Sequence, residues 1–350
     1  MANFLSNKIK DSFFALDIGS TAIRAVQLKG VDMPKTIVSY ASSPIDPRLA
    51  ESDSKQDQQS LKKSIEKLIK GANISEKNVV AGIPTKRIFA SVVDFPKLSD
   101  AELKKTVEYQ LDSHIPTSID EVKVDWIPLG PSIVDEEKVE VLIVSVNKDF
   151  AEERMHMIDD LGFNTIAFEP DAIALTRSLV SSDYSGSSLL LDIGYLNTDL
   201  VITIGDKPRL IRSVPVGGQS FIKTVAQNLN LDTTQAQQFV YKFGLSTDKA
   251  EGQIYRALEN VVESLIGEIS KSIKFFSDRY SGATLDRIVV TGGASALPGL
   301  PLYIANRTGI QVEIGNPWQN ISYSPSQYNE LINLSSHYAT ALGLGLRAEE

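Results

Sequence analysis

The chain has no cysteine in 350 residues. Disulfides, thiolate metal sites and cysteine nucleophiles are therefore excluded, which fits a reducing cytoplasm. It has two tryptophans and three histidines. His114, His156 and His337 lack metal-ligand spacing and read as surface or helix-end residues. Trp126 and Trp318 read as packing or interface residues. No apolar run approaches the ~20 residues of a membrane span. Positive charge is not in excess: 35 Lys and Arg face 44 Asp and Glu, a formal net charge of −9. That balance argues against a dedicated nucleic-acid binder. The start, MANFLSNKIKDSFF, lacks the apolar core and cleavage site of a secretory signal. Phe4, Leu5 and Ile9 beside Lys8 and Lys10 could form a weak membrane-surface contact; a frayed terminus is the plainer reading.

What the chain does contain is a repeat. FFALDIGSTAIRAVQL and LLLDIGYLNTDLVI share one pattern: an apolar run ends in Asp-Ile-Gly, small polar residues follow, and a second apolar run begins. Short runs around a turn signal predict two hairpins. Glycine permits a tight turn where an anion approaches the backbone. An Asp at a strand end suits a hydrated divalent cation. The first copy offers Asp17, Gly19, Ser20, Thr21 and Arg24; the second offers Asp192, Gly194, Asn197 and Thr198. Amides and hydroxyls would cradle phosphates and Arg24 would neutralise one of them. Asp17 and Asp192 would hold Mg²⁺, largely through water. Either turn alone is equally a plain hairpin. Two copies in two halves suggest a duplicated fold whose jaws grip one phosphate chain. A third segment, IVVTGGASALPGL, reads as a buried strand ending in bare backbone at Gly292, Gly293 and Ala294, with Pro298 and Gly299 opening a helix. Ligands bind at that edge in open α/β sheets, and small residues leave room for adenine or ribose.

Residues 44–60 are polar and aperiodic and read as a surface loop. A helix follows at about 60–70, with Leu61, Ile65, Leu68 and Ile69 on one face. Residues 85–165 read as a compact α+β unit, two helices on a small antiparallel sheet. Ser99 and Glu102 form a capping box for the first of them, and Leu103, Val107 and Leu111 form its buried stripe. Residues 219–280 are almost all helical, with Phe275 and Phe276 read as core. Gly343 and Gly345 in the last helix cost stability unless another backbone packs very close.

In this order the three segments resemble the actin-like ATPase superfamily, with a connecting helix near 169–179 and a closing helix near 338–346. The unit at 85–165 sits where the FtsA and PilM branches carry their extra subdomain. DFPKLSDAELKKTVEYQLDSHIPTSIDEVKVDWIPLG, VEVLIVSV, EPDAIALTRSL and IRSVPVGGQSF are similar to the PilM family of type IV pilus assembly, or to a relative from type II secretion. The resemblance implies a two-lobed actin-like α/β fold, a duplicated ribonuclease-H-like fold with an inserted α+β subdomain in the first lobe. Residues 1–84, 166–184 and 336–350 would form the first lobe, 85–165 the insert, 185–225 and 284–335 the second-lobe core, and 226–283 a helical subdomain. ATP and Mg²⁺ would lie between the lobes, with slow hydrolysis at most. Glu169 is the candidate for orienting a hydrolytic water. Gly218 would open a helix whose N-terminus approaches the nucleotide. In place of the family's Ala-Glu-x-x-Lys ribose pattern stands Ala236-Gln237-Gln238-Phe239-Val240; Gln237 can still hydrogen-bond a ribose hydroxyl. The implied partner is the N-terminal cytoplasmic tail of a PilN-like inner-membrane protein, docked as an extended peptide beside the extra subdomain. A homo-oligomer or ring and a cytoplasmic place, peripheral to the inner membrane through the partner, belong to the same expectation. The rivals are a small-molecule kinase of the superfamily and a nucleotide-free scaffold.

Overall fold

The computed structural model describes residues 12–52 and 54–347. Phe4, Leu5 and Ile9 lie outside them. The first Asp-Ile-Gly segment forms a hairpin of β1 (Phe14–Ile18) and β2 (Ala22–Lys29), with Asp17 opposite Arg24. β3 (Lys35–Pro44) extends the meander. α1 (Pro47–Glu51) and α2 (Lys55–Gly71) then lead to β4 (Asn78–Ile83). The expected loop at 44–60 therefore holds a short helix and the first turns of a longer one. Side chains of Asp46 and Ser54 accept the orphan N–H groups of Arg48 and Asp57. These turns carry no apolar stripe, so periodicity is silent there.

The insert comprises β5 (Ile88–Pro96), α3 (Asp100–His114), β6 (Val122–Pro131), β7 (Lys138–Asn147) and α4 (Lys148–Asp159). Its sheet runs β5–β7–β6. The capping box is present: Glu102 accepts the Ser99 N–H at 3.1 Å. The two helices do not share a core. Leu103, Val107 and Leu111 of α3 pack with Phe95, Val141 and Ile143 on one sheet face. Ala151, Met157 and Ile158 of α4 join Leu142 and Val144 of the other face in the first-lobe core. β7 is apolar on both sides, so the sheet needs a cover on each. Arg154 of α4 also donates to the Ala50 carbonyl at 2.9 Å.

β8 (Asn164–Pro170) returns to pair parallel with β4, and α5 (Asp171–Leu179) leads to the second lobe. That lobe contains β9 (Ser187–Ile193), β10 (Thr198–Ile204), β11 (Lys207–Val214), α6 (Gly218–Leu229), α7 (Thr233–Phe243), α8 (Gln253–Arg279), β12 (Arg287–Thr291), α9 (Leu300–Thr308) and β13 (Val312–Ile314). Its sheet order is β11–β10–β9–β12–β13. The chain then re-enters the first lobe through β14 (Ile321–Ser322) and α10 (Tyr328–Gly345). The first sheet reads β14–β3–β2–β1–β4–β8. Leaving β14 aside, the two lobes share one strand order, which is the duplication that the repeated hairpins suggest. The return comes before residue 336: β14 pairs with β3, and Trp318 packs edge-on against Tyr40 with ring centroids 6.3 Å apart. A two-residue strand carries no periodic signal. In α8, Phe276 is core, whereas Phe275 is 52% exposed.

α5 and α10 cross between the lobes. A Cβ on Gly343 would stand 1.9 Å from the Ala174 carbonyl oxygen, so the two backbones meet as the glycine suggests. Gly345 instead faces the Leu28 side chain. Among the described residues no helix is long and apolar enough to cross a membrane.

Candidate functional site

Both hairpin turns open onto one interlobe cleft of about 690 Å³. The turns are closed alike: Gly19 N–H donates to the Ala22 carbonyl at 3.1 Å, and Gly194 N–H to that of Asn197 at 2.9 Å. Asp17, Gly19, Ser20, Thr21 and Arg24 line the cleft from the first lobe, and Asp192, Gly194 and Asn197 line it from the second. Gly292, Gly293, Ala294 and Gln237 complete that side. Gly292 has φ +87°, and a Cβ there would lie 2.2 Å from Asp192 Oδ1. Only glycine lets the third segment pass over the second carboxylate.

The cleft is rich in carboxylates. Asp17 is buried, and Arg24 donates to it at 3.2 Å. Burial raises its pKa and Arg24 opposes the rise. Asp192 is pushed up to about 7, by burial first and then by Asp199 and Asp17. Asp171 is raised well above its ordinary value by burial and by Asp17, Asp199, Asp192 and Glu169. Its buried Oδ1 has no hydrogen-bond partner among the described residues. Asp199, also raised by burial, accepts from the Ser213 hydroxyl at 2.5 Å. Lys86 lines the cleft but is paired with Glu51. Clustered carboxylates with an orphaned oxygen fit a divalent cation, whose charge would relieve their repulsion. Among the described residues no three acidic or histidine side chains come together to hold a metal directly. A cation that keeps most of its water, as Mg²⁺ does, matches that spacing.

Four expected residues do not face the cleft. Glu169 ends β8 rather than opening the helix; it is 0% exposed and held by both terminal nitrogens of Arg177, one at 2.8 Å. Arg177 also donates to the Gly343 carbonyl at 2.7 Å. Glu169 thus braces the α5–α10 crossing, and Asp171, the first helical residue, takes the cleft position. Thr198 is fully buried and its hydroxyl donates to the Val216 carbonyl at 2.7 Å. Gly218 spends its N–H on the Gly194 carbonyl at 3.0 Å, so that donor is not aimed at a ligand. The Pro298 carbonyl accepts the Leu245 N–H at 2.8 Å, bracing the turn after α7.

Other lining residues were not singled out by sequence: Asp199, Tyr195, Tyr241, Thr85 and Lys86. Asp199 is two residues beyond Asn197 in an extended segment, so strand parity alone could have marked it. His337 is exposed, as expected, and borders the cleft beside Gly293. Partial desolvation at the cleft wall, then Arg24, hold its pKa below the ordinary value.

Residues 15–349 match the family described as type IV pilus assembly protein PilM. The chain belongs to that family. A chain of the PilM–PilN type IV pilus biogenesis complex superposes with a TM-score of 0.83 at 25% identity, covering 97% of this chain and 99% of that one. The ethanolamine utilization protein EutJ of Carboxydothermus hydrogenoformans gives 0.58 at 14% identity over 98% and 92% of the two chains. MreB5 of Spiroplasma citri bound to ADP gives 0.57 at 12% over 95% and 94%. At such identities the latter two show the fold alone. This PilM-family chain therefore carries the two-lobed actin-like α/β fold of its expected class. Family membership favours a component of type IV pilus assembly over a small-molecule kinase.

Proposed function

We propose that this PilM-family chain binds Mg-ATP in the interlobe cleft and uses nucleotide state to set its affinity for a PilN-like membrane partner. The observation that carries the reading is the convergence of both Asp-Ile-Gly turns on one cleft. The turn amides other than those of Gly19 and Gly194, with the Ser20 and Thr21 hydroxyls, would hold the phosphates, with Arg24 countering their charge. Asp17 and Asp192 would hold the cation's water shell. A bound Mg²⁺ supplies charge neutralisation between the phosphates and these carboxylates. Gln237 and the bare backbone of Gly292 to Ala294 would seat the nucleoside. Asp171 is the group suited to orient a water, since its buried Oδ1 has no partner among the described residues and its pKa is raised. Turnover is slow at most, and the output is conformational.

The PilM–PilN complex supports a PilN-like partner. Its N-terminal cytoplasmic tail would dock as an extended peptide beside the inserted sheet. The protein would then sit in the cytoplasm, peripheral to the inner membrane through that tail, alone or in a ring of copies. Calorimetric titration of the full chain with Mg-ATP, then with the tail peptide at saturating and zero nucleotide, tests both parts. Micromolar Mg-ATP binding that changes the peptide affinity is expected. Peptide binding with no nucleotide binding would instead establish a nucleotide-free scaffold.

A further inference from the structure

A cluster of buried charge lies where the inserted sheet meets the second lobe. Glu140 of β7 is 0% exposed, and Arg209 of β11 is 6% exposed. Arg209 Nε stands 3.0 Å from Glu140 Oε2. The Tyr280 hydroxyl donates to Glu140 Oε1 at 2.7 Å. Arg279, at the end of α8, lies 3.6 Å from Glu140 and donates to Asp94 of β5 at 3.1 Å. Two carboxylates from the insert thus face two guanidiniums and a phenol from the second lobe. The edges of β5 and β11 come together here without pairing as strands. A small cavity of about 90 Å³ remains beside them, with the half-exposed Phe275 on its wall.

An apolar seam would hold the two sheets at least as strongly, because buried ion pairs are often no more stabilising than well-packed hydrophobic residues. It would, however, tolerate sliding. A charge-balanced set tolerates it less: Arg209 meets Glu140 as an ion pair without hydrogen-bond geometry and Tyr280 donates to the same acid, so a shift that parts Glu140 from them leaves a dry charge without its partner. β7 otherwise presents Val139, Val141, Leu142, Ile143 and Val144 around the acid, so the carboxylate is a local departure from an apolar strand. The insert is also rooted covalently in the first lobe, through β4 and β8. It is therefore joined to the first lobe by chain and by the apolar core under β7 and α4, and to the second lobe by this buried charge beside Ile211 of β11.

We propose that the cluster of Glu140, Asp94, Arg209, Arg279 and Tyr280 is a coupling clamp that makes the inserted sheet follow the second lobe when the lobes turn against each other. A second consequence rests on the nucleotide reading above: the state of the cleft is passed through the clamp to the insert and to any peptide docked beside it. The cysteine-free chain allows a direct test on the full-length protein. Nitroxide labels at Lys104→Cys on α3 and Lys274→Cys on α8 report the seam, and a separate pair at Lys104→Cys and Lys67→Cys on α2 reports the insert against the first lobe. Pulsed dipolar spectroscopy reads the distances without nucleotide and with Mg-ATP. Arg279→Gln, at a part-exposed member, and Glu140→Gln, which keeps an acceptor for Tyr280, cut the clamp. A single narrow seam distance is expected in the parent and a distribution at least twofold wider in both variants. Mg-ATP should move the insert against α2 in the parent and not in the variants. Seam distances equally narrow and equally centred in parent and variants would overturn the clamp. Should Glu140→Gln fail to fold, the Arg279→Gln widths decide alone. Widening of the seam in the variants with no response of the parent to Mg-ATP would support the clamp and refute the nucleotide reading.

Discussion

Asp192→Asn should stabilise the ligand-free protein at pH 8 while weakening its hold on Mg-ATP. The Asp192 carboxylate is pushed from its ordinary 3.8 up to about 7. The folded state therefore binds this proton more tightly than the unfolded chain does. Below pH 3.8 both states are protonated and the side chain costs nothing. Between about 4 and 7 the unfolded chain releases its proton and the folded one does not, so stability falls as pH rises; above 7 the loss is complete. About 3 units at 1.36 kcal/mol each set an upper bound near 4 kcal/mol. Asparagine keeps the shape and removes the charge, so the variant should gain up to that amount at pH 8 and nearly nothing at pH 4. Urea unfolding at the two pH values measures the gain. Titration with Mg-ATP at pH 8 should show about a tenfold or larger loss of affinity, in line with the loss of a group that orients a metal's ligands. In the parent, Mg-ATP affinity should fall as pH drops through about 7, because the proton competes with the cation. A variant less stable than the parent at pH 8, or a gain that does not change with pH, would refute the account of the carboxylate cluster.

Gly343→Ala must drive α5 and α10 apart, since its methyl would stand 1.9 Å from the Ala174 carbonyl oxygen; a loss of about 3 kcal/mol or more is expected in chemical unfolding. Glu169→Gln removes the buried charge that both terminal nitrogens of Arg177 meet and should cost about 3–5 kcal/mol, whereas Asp171→Asn should keep or raise stability and abolish whatever slow ATP turnover the parent shows in a phosphate-release assay. Leu111→Ala, in the separate core under α3, should lower stability by about 2–5 kcal/mol and leave Mg-ATP affinity unchanged by calorimetry.

The hairpins were legible because their signal is local. A buried run, a turn glycine and a second run specify a strand pair wherever they fall, and the acid at the strand end follows from its register. The α3 cap and stripe were legible for the same reason. Glu169 and Asp171 show the limit. Two carboxylates flank one proline, and composition does not say which of them meets Arg177 and which meets the cleft. β8 running on through Pro170 decides it. The first turns of α2 are not legible in the sequence because a solvated helix end has no apolar stripe to read.

Strand pairs, helix stripes and the duplicated turn chemistry were set by the amino-acid sequence itself, because propensity, periodicity and glycine placement act over a few residues. The grouping of Asp17, Asp171, Asp192 and Asp199 at one cleft was decided by tertiary structure. So were the closeness of Gly343 to Ala174 and the pairing of Glu140 with Arg209. Each depends on segments tens to hundreds of residues apart meeting through packed sheets and crossed helices. Burial and mutual charge, which push these carboxylates up, exist only once that packing has removed the water between them.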